Sequence, residues 1–120
     1  MEFFIKKDST LPILIMEVVN DGRTDNYKKF NEDLVNATIR FSMKRESDGL
    51  QKIIMNNAYI TDKLLNNPDT PKEYYIYYIY YKWTTRDTNQ KGRFIGEFTI
   101  TTEDGDLMCP ISEPLFVNIE

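Results

Sequence analysis

Period-two alternation of apolar and polar residues is the dominant pattern along this chain. Because successive side chains of a strand point to opposite faces of its sheet, such alternation predicts half-buried β-strands. The clearest segments are residues 37–44 and 94–102, in which apolar residues recur at every second position. Ile95 interrupts the polar face of the second segment. We predict a strand at each.

Two Asp-Gly pairs, Asp48-Gly49 and Asp104-Gly105, lie between strand-like runs. Glycine readily adopts the positive φ of tight turns, so both pairs predict hairpin tips. The first would join residues 38–44 to 52–59, and the second would join 94–102 to 107–111. A last alternating run, 115–119, predicts a closing strand after Pro110 and Pro114, which interrupt the ladder.

The remaining segments complete an all-β pattern. Residues 11–19 are rich in β-formers, the polar residues 23–33 predict a loop or one short helix, and residues 64–71 carry two prolines typical of an exposed connection. About seven short strands with intervening turns favour one antiparallel β-sandwich over residues 1–120, with a small barrel as the alternative. Residues 1–10 could extend from it as an N-terminal arm.

The segment 74–83 is unusual because aromatic and β-branched residues, which favour strands, fill both of its faces. One face is predicted to join the core. The other face is a candidate interface. Its outward residues could form cross-strand pairs, contact another protein, or stack against a sugar. The predicted core face contains Tyr75, Tyr77, Ile79, Tyr81 and Trp83, and the candidate interface contains Tyr74, Ile76, Tyr78 and Tyr80.

The sequence offers little for catalysis or cofactor binding. It contains no histidine, which excludes catalytic sites that activate a nucleophile with His and zinc sites that contain His. It also has neither the glycine spacing of a P-loop nor that of the dinucleotide-binding fingerprint. The single Cys109 fits a buried, inert thiol. Asp104 and Asp106 could offer oxygen ligands to calcium, but a hairpin tip explains the same residues. We expect no enzymatic activity, catalytic residue, cofactor or metal site.

Charge and hydropathy also bear on the partners. The net charge is −4 and the fifteen basic residues are scattered, whereas nucleic-acid binding needs a basic stripe that neutralises phosphates. No apolar run approaches the length that spans a bilayer. The N-terminus lacks the order of a signal peptide, and the lone cysteine fits assembly in a reducing cytoplasm. We therefore expect neither a nucleic-acid partner nor a membrane partner.

The second half of the chain carries a specific order of motifs: Trp83, then Asp87-Thr88, Gly92 and Phe94, then a hairpin at Asp104-Gly105 and a proline-containing final stretch. Upstream, residues 34–44 form a leucine-to-methionine run with an alanine-threonine pair. This order resembles the immunoglobulin-like domain of tailed-bacteriophage structural proteins. It is similar to the N-terminal domain of the upper baseplate protein family.

The resemblance implies an immunoglobulin-like antiparallel β-sandwich without catalytic residues. Its fold corner would consist of Trp83, Asp87, Gly92 and Phe94, with the Asp side chain capping backbone donors and the Gly allowing the chain to turn. The tyrosine-rich strand and the preceding Asn-Pro segment depart from the family pattern.

It also implies a virion structural component, made in the bacterial host cytoplasm. Such a component would lie in the tail or baseplate, or act as a head-, neck- or fibre-associated adaptor. Its expected partners are other virion proteins and further copies of itself, in a homo-oligomer or ring. A carbohydrate-binding or receptor-recognition module is the alternative.

Overall fold

The computed structural model of the chain describes residues 1–18, 34, 36–61 and 77–120. The expectations for residues 23–33 and 64–71 lie outside these residues, as do those for Tyr74 and Ile76. The described part contains nine strands: β1 (Glu2–Ile5), β2 (Leu14–Val18), β3 (Thr38–Arg45), β4 (Gln51–Asn57), β5 (Tyr59–Thr61), β6 (Tyr77–Tyr81), β7 (Gly92–Thr102), β8 (Gly105–Cys109) and β9 (Leu115–Ile119).

These strands form two sheets that pack face to face. The large sheet has six strands in the order β1-β9-β7-β3-β4, with β8 also paired to β7, and the small sheet has three in the order β2-β6-β5. Neighbouring strands run antiparallel except for β1 and β9, which are parallel. The all-β sandwich is therefore confirmed, with nine described strands rather than about seven.

The segment expected to be one strand, 52–59, is two strands that belong to different sheets. β4 pairs with β3, and β5 pairs with β6. The chain changes sheets at the buried Ala58, whose N–H donates to the carbonyl of Ile39 at 2.9 Å. Two register shifts precede the change, and Met55 has a φ of 49°. Alternation is lost there, so Ile54 and Met55 are both exposed.

Two further boundaries differ from the expectation. Residues 2–5, part of the expected arm, instead form β1 in the large sheet, where Phe3 packs on the core and Ile5 lies within it. β8 spans 105–109 rather than 107–111, because Pro110 has no N–H to donate to a ladder.

The core lies between the two inner faces, with Phe41 of β3 at its centre. The Phe41 ring centroid lies 4.6 Å from that of Tyr81, 5.7 Å from that of Trp83 and 4.9 Å from that of Phe98. Rings from both sheets thus meet at one residue. The predicted core face of the aromatic strand is confirmed for its described members, since Tyr77, Ile79, Tyr81 and Trp83 are all buried.

The Phe41 ring lies against the backbone of β7 at Gly96. A Cβ at this position would lie 2.9 Å from Phe41 Cζ and 3.3 Å from Leu115 Cδ2. Because the ring is packed on several sides, we expect Gly96→Ala to lower the free energy of unfolding by about 1–3 kcal/mol in urea denaturation. In a Phe41→Leu background, which lacks the end of the ring, Gly96→Ala should lower the free energy of unfolding by less. Equal losses in both backgrounds would contradict this explanation.

Candidate functional site

The outer face of the small sheet carries two rows of side chains across its three strands. One row runs Ile15–Tyr80–Tyr59 and the next runs Glu17–Tyr78–Thr61, as the pairing of β2 with β6 and of β6 with β5 dictates. Alternation requires this arrangement, because the inward neighbours on each strand fill the core. We call these six residues the tyrosine face.

The tyrosine face leaves apolar and aromatic surface open to solvent. Ile15 is 48% exposed and Tyr59 is 45% exposed, while Tyr78 and Tyr80 are half-buried. These side chains adjoin one another within the sheet, whereas the exposed apolar residues of an ordinary surface are scattered singly. The face therefore has the composition of a contact surface.

Tyr80 forms a cross-strand pair with Tyr59, one of the three arrangements expected for the outward tyrosines. Their ring centroids are 5.3 Å apart at an interplanar angle of 26°. Lys82 Nζ lies 5.3 Å from the centroid of the Tyr59 ring, a cation–π contact. The stack directs one face of each ring at the other ring, which reduces the flat aromatic area open to a sugar.

The structure places two of the four candidate interface residues, Tyr78 and Tyr80, on this face. Tyr74 and Ile76 belong to the part of the chain that it does not describe. The sequence reasoning missed Ile15 and Tyr59. Alternation along β2 could have placed Ile15 outward, but the position of Tyr59 depends on the change of sheet at Ala58.

The fold corner is built around the buried carboxylate of Asp87. Asp87 Oδ2 accepts hydrogen bonds from the Tyr81 hydroxyl at 2.8 Å and from the Thr84 backbone N–H at 2.9 Å. Asn56 Nδ2 donates to the Tyr81 hydroxyl oxygen at 3.2 Å. Burial raises the pKa of Tyr81 well above its usual value, and the neighbouring Asp87 adds to the rise. The phenol therefore stays protonated and holds the Asp87 carboxylate in place.

Thr88, the next residue, attaches the β1–β2 connection to this corner. Its hydroxyl donates to the carbonyl of Ser9 at 2.8 Å, and its carbonyl accepts from the Asp8 N–H at 2.9 Å. Thr88 is fully buried, so the Thr88 end of both bonds is shielded from water. The corner thereby joins three parts of the chain that are distant in sequence.

The other corner residues also have structural positions. Trp83 is 4% exposed and Phe94 is 1% exposed, both within the core. Gly92 has a φ of 148°, a conformation that residues with a Cβ rarely adopt, which suits glycine at the start of β7. These contacts determine the fold and leave the corner side chains inaccessible to a partner.

The described residues contain no constellation that suggests catalysis. No group of three or more His, Cys, Asp or Glu side chains among them could hold a metal ion. Asp104 lies at the tip of the β7–β8 hairpin, where its N–H donates to the Thr102 hydroxyl at 3.2 Å. A shallow groove of about 180 Å³ on the outer face of the large sheet is lined by a single carboxylate, that of Glu97.

Comparisons with known proteins leave the chain without relatives from which a role could be transferred. It matches no protein-family model, no curated protein and no solved structure. Across the described residues, no helix has the length and apolar character needed to cross a membrane. The tyrosine face is thus the feature on which a functional proposal can rest.

Proposed function

We propose that this chain is a non-enzymatic structural protein of a bacteriophage virion that assembles through protein–protein contacts, with the tyrosine face as its contact surface. The observation that carries the proposal is the row Ile15–Tyr80–Tyr59 on a hydrogen-bonded sheet, in which Ile15 and Tyr59 are exposed and Tyr80 is half-buried. Aromatic side chains are enriched at the centres of protein interfaces, where they contribute large contact area. A sheet also holds them in fixed positions, which lowers the entropy lost on binding.

The virion setting rests on the ordered motifs that resemble the immunoglobulin-like domain of tailed-bacteriophage structural proteins. The capping of Thr84 N–H by Asp87 is the type of contact which that resemblance implies for the corner. A tail or baseplate component, or a head-, neck- or fibre-associated adaptor, would dock to other virion proteins. Because virion parts recur around symmetry axes, several copies are expected in each particle, as a homo-oligomer or ring.

A carbohydrate-binding or receptor-recognition module is the second candidate. The Tyr59 ring favours it, since the ring is 45% exposed and Lys82 lies beside it, where the ammonium group could donate to sugar hydroxyls. The free protein would then bind on a glycan array, and Tyr59→Ala would abolish that binding. A protein that binds no glycan but assembles into particles supports the structural role instead.

Mass spectrometry of purified virions tests the proposed function directly. We expect the protein at a fixed multiple of the portal or tail copy number, because a structural component has a set stoichiometry. An abundant host cytoplasmic protein, measured in the same sample, gives the background from contamination. Recovery at or below that background would show that the virion assignment is wrong.

A further inference from the structure

Opposite charges lie on either side of the row Ile15–Tyr80–Tyr59 of the tyrosine face. Lys82 follows Tyr80 by two residues and shares its outward direction, so it lies one row beyond Ile15–Tyr80–Tyr59. Glu17 is exposed in the row on the other side, opposite Tyr78. At about 3.3 Å of strand per residue, the two charged rows are about 13 Å apart, with the apolar row between them.

This arrangement is self-complementary. Two copies can face each other across a two-fold axis that lies between their small sheets, perpendicular to the strands and level with the apolar row. Seen from one copy, the rows of the other copy then run in the reverse order. The row of Lys82 in one copy then faces the row of Glu17 in the other, and the apolar row meets itself. The Lys82 backbone would lie one strand, about 4.8 Å, to the side of the opposing Glu17. Its flexible side chain, which lies beside the Tyr59 ring on the other side of β6, would turn away from that ring to span the offset. The symmetry gives two such pairs, one at each end.

We propose that the partner of the tyrosine face is a second copy of this chain, docked face to face across this two-fold axis. The inference rests on the proposed role of the tyrosine face as a contact surface. The contact is isologous, because each copy uses the same patch. Opposite charges that meet at a rim fix the orientation of the partner and disfavour others.

The outer face of the large sheet provides a contrast. There Arg93 pairs within the chain, with Glu2 at 2.9 Å and with Glu46 at 3.7 Å, and its guanidinium lies 3.8 Å from the centroid of the Phe116 ring. Its charge is already paired with two carboxylates of the same chain. The tyrosine face, whose charges are separated by exposed apolar residues, is better suited to a partner.

The size of the face indicates how strong the contact would be. Three strands about 4.8 Å apart and about five residues long give a footprint of roughly 240 Å². Stable interfaces bury about 800 Å² on each partner, so this contact alone would give a weak dimer, with a dissociation constant in the micromolar range or above. High local concentration in an assembly makes such a contact effective.

Sedimentation velocity over about 5–500 μM protein, the range that a weak contact requires, tests the proposal. We expect the wild-type protein to dimerise with rising concentration. Glu17→Lys or Lys82→Glu alone should weaken the dimer about tenfold or more, because like charges then meet. The double variant Glu17→Lys/Lys82→Glu should restore dimerisation, because the pairs re-form between copies. Glu97→Lys and Lys44→Glu, matched reversals at the groove on the opposite face, should leave it unchanged.

Three results would overturn the inference: a wild-type protein that stays monomeric at every concentration, a dimer whose dissociation constant neither single charge reversal changes, or a double variant that dimerises no better than the single variants. This failure is distinguishable from that of the proposed function. A protein found in virions at fixed stoichiometry but monomeric alone overturns only the self-association. A charge-sensitive dimer that is absent from virions overturns only the virion assignment.

Discussion

Replacing Phe41 by alanine is expected to lower the free energy of unfolding by about 3–5 kcal/mol, the cost of emptying a large, fully packed aromatic site. The Phe41 side chain has no solvent exposure, and its ring contacts Tyr81 and Trp83 from one side of the sandwich and Phe98 from the other. Its loss leaves a cavity between the two sheets. Urea denaturation followed by the fluorescence of Trp83, the single tryptophan, measures the effect.

Phe4→Ala provides the matched control, since it deletes the same side chain from β1 where it is 55% exposed. That substitution should change the free energy of unfolding by no more than about 0.5 kcal/mol. If the two substitutions had similar effects, or if Phe41→Ala cost less than about 1 kcal/mol, Phe41 would not be the centre of the core.

The sequence predicted best those strands whose alternation is complete within the strand. β3, β7 and β9 carry apolar residues at every second position, and the pairing of 98–102 with 105–109 follows from the Asp104-Gly105 turn. These signals are local, because a strand with one solvent-exposed face must alternate apolar and polar residues regardless of which strands it pairs with. The outer faces depart from the pattern at Ile95 and Phe116, which are apolar and half-buried, and at Thr99, which is buried.

The features that the sequence left open depend on distant residues. β1 has only Phe3 and Ile5 to mark an inward face, and its place in the sheet requires β9 from the far end of the chain. The change of sheet at Ala58 depends on a hydrogen bond to Ile39 in another strand. Neither requirement leaves a periodic trace in the sequence, which is why β1 could be read as a possible arm and why the single strand expected over 52–59 was wrong.

The candidate site was likewise predictable only where the pattern along a single strand determines it. Alternation along β6 fixed which tyrosines point outward, so Tyr78 and Tyr80 lie on the face that the sequence assigned to them. The neighbours that complete the tyrosine face, Ile15 and Tyr59, come from β2 and β5. Their positions follow from the order of strands in the small sheet, which the pattern along a single strand cannot specify.

The buried fold corner and the tyrosine face are coupled through β6. Tyr81 points inward, where its hydroxyl is held by Asp87, and Tyr80 is its immediate neighbour on the outward side. Because consecutive strand residues point to opposite faces, fixing Tyr81 also fixes the direction of Tyr80. The corner thus sets the orientation of the outward side chains on β6.

Replacing Asp87 by alanine is therefore expected to lower the free energy of unfolding by about 2–4 kcal/mol, because it leaves the buried Tyr81 hydroxyl and the Thr84 N–H without their acceptor. In a Tyr81→Phe background the same substitution should cost about 1–2 kcal/mol less, since one of the two donors is already absent. Urea denaturation of the four proteins in this cycle gives the coupling energy directly.

Asp106→Ala, which removes an exposed carboxylate from β8, is the matched control and should change the free energy of unfolding by no more than about 0.5 kcal/mol. A coupling energy near zero would mean that the Tyr81–Asp87 hydrogen bond does not stabilise the corner, and the proposed link between the corner and the tyrosine face would fail with it. A coupling energy above about 1 kcal/mol would show that the Tyr81–Asp87 hydrogen bond stabilises the corner and with it the inward position of Tyr81.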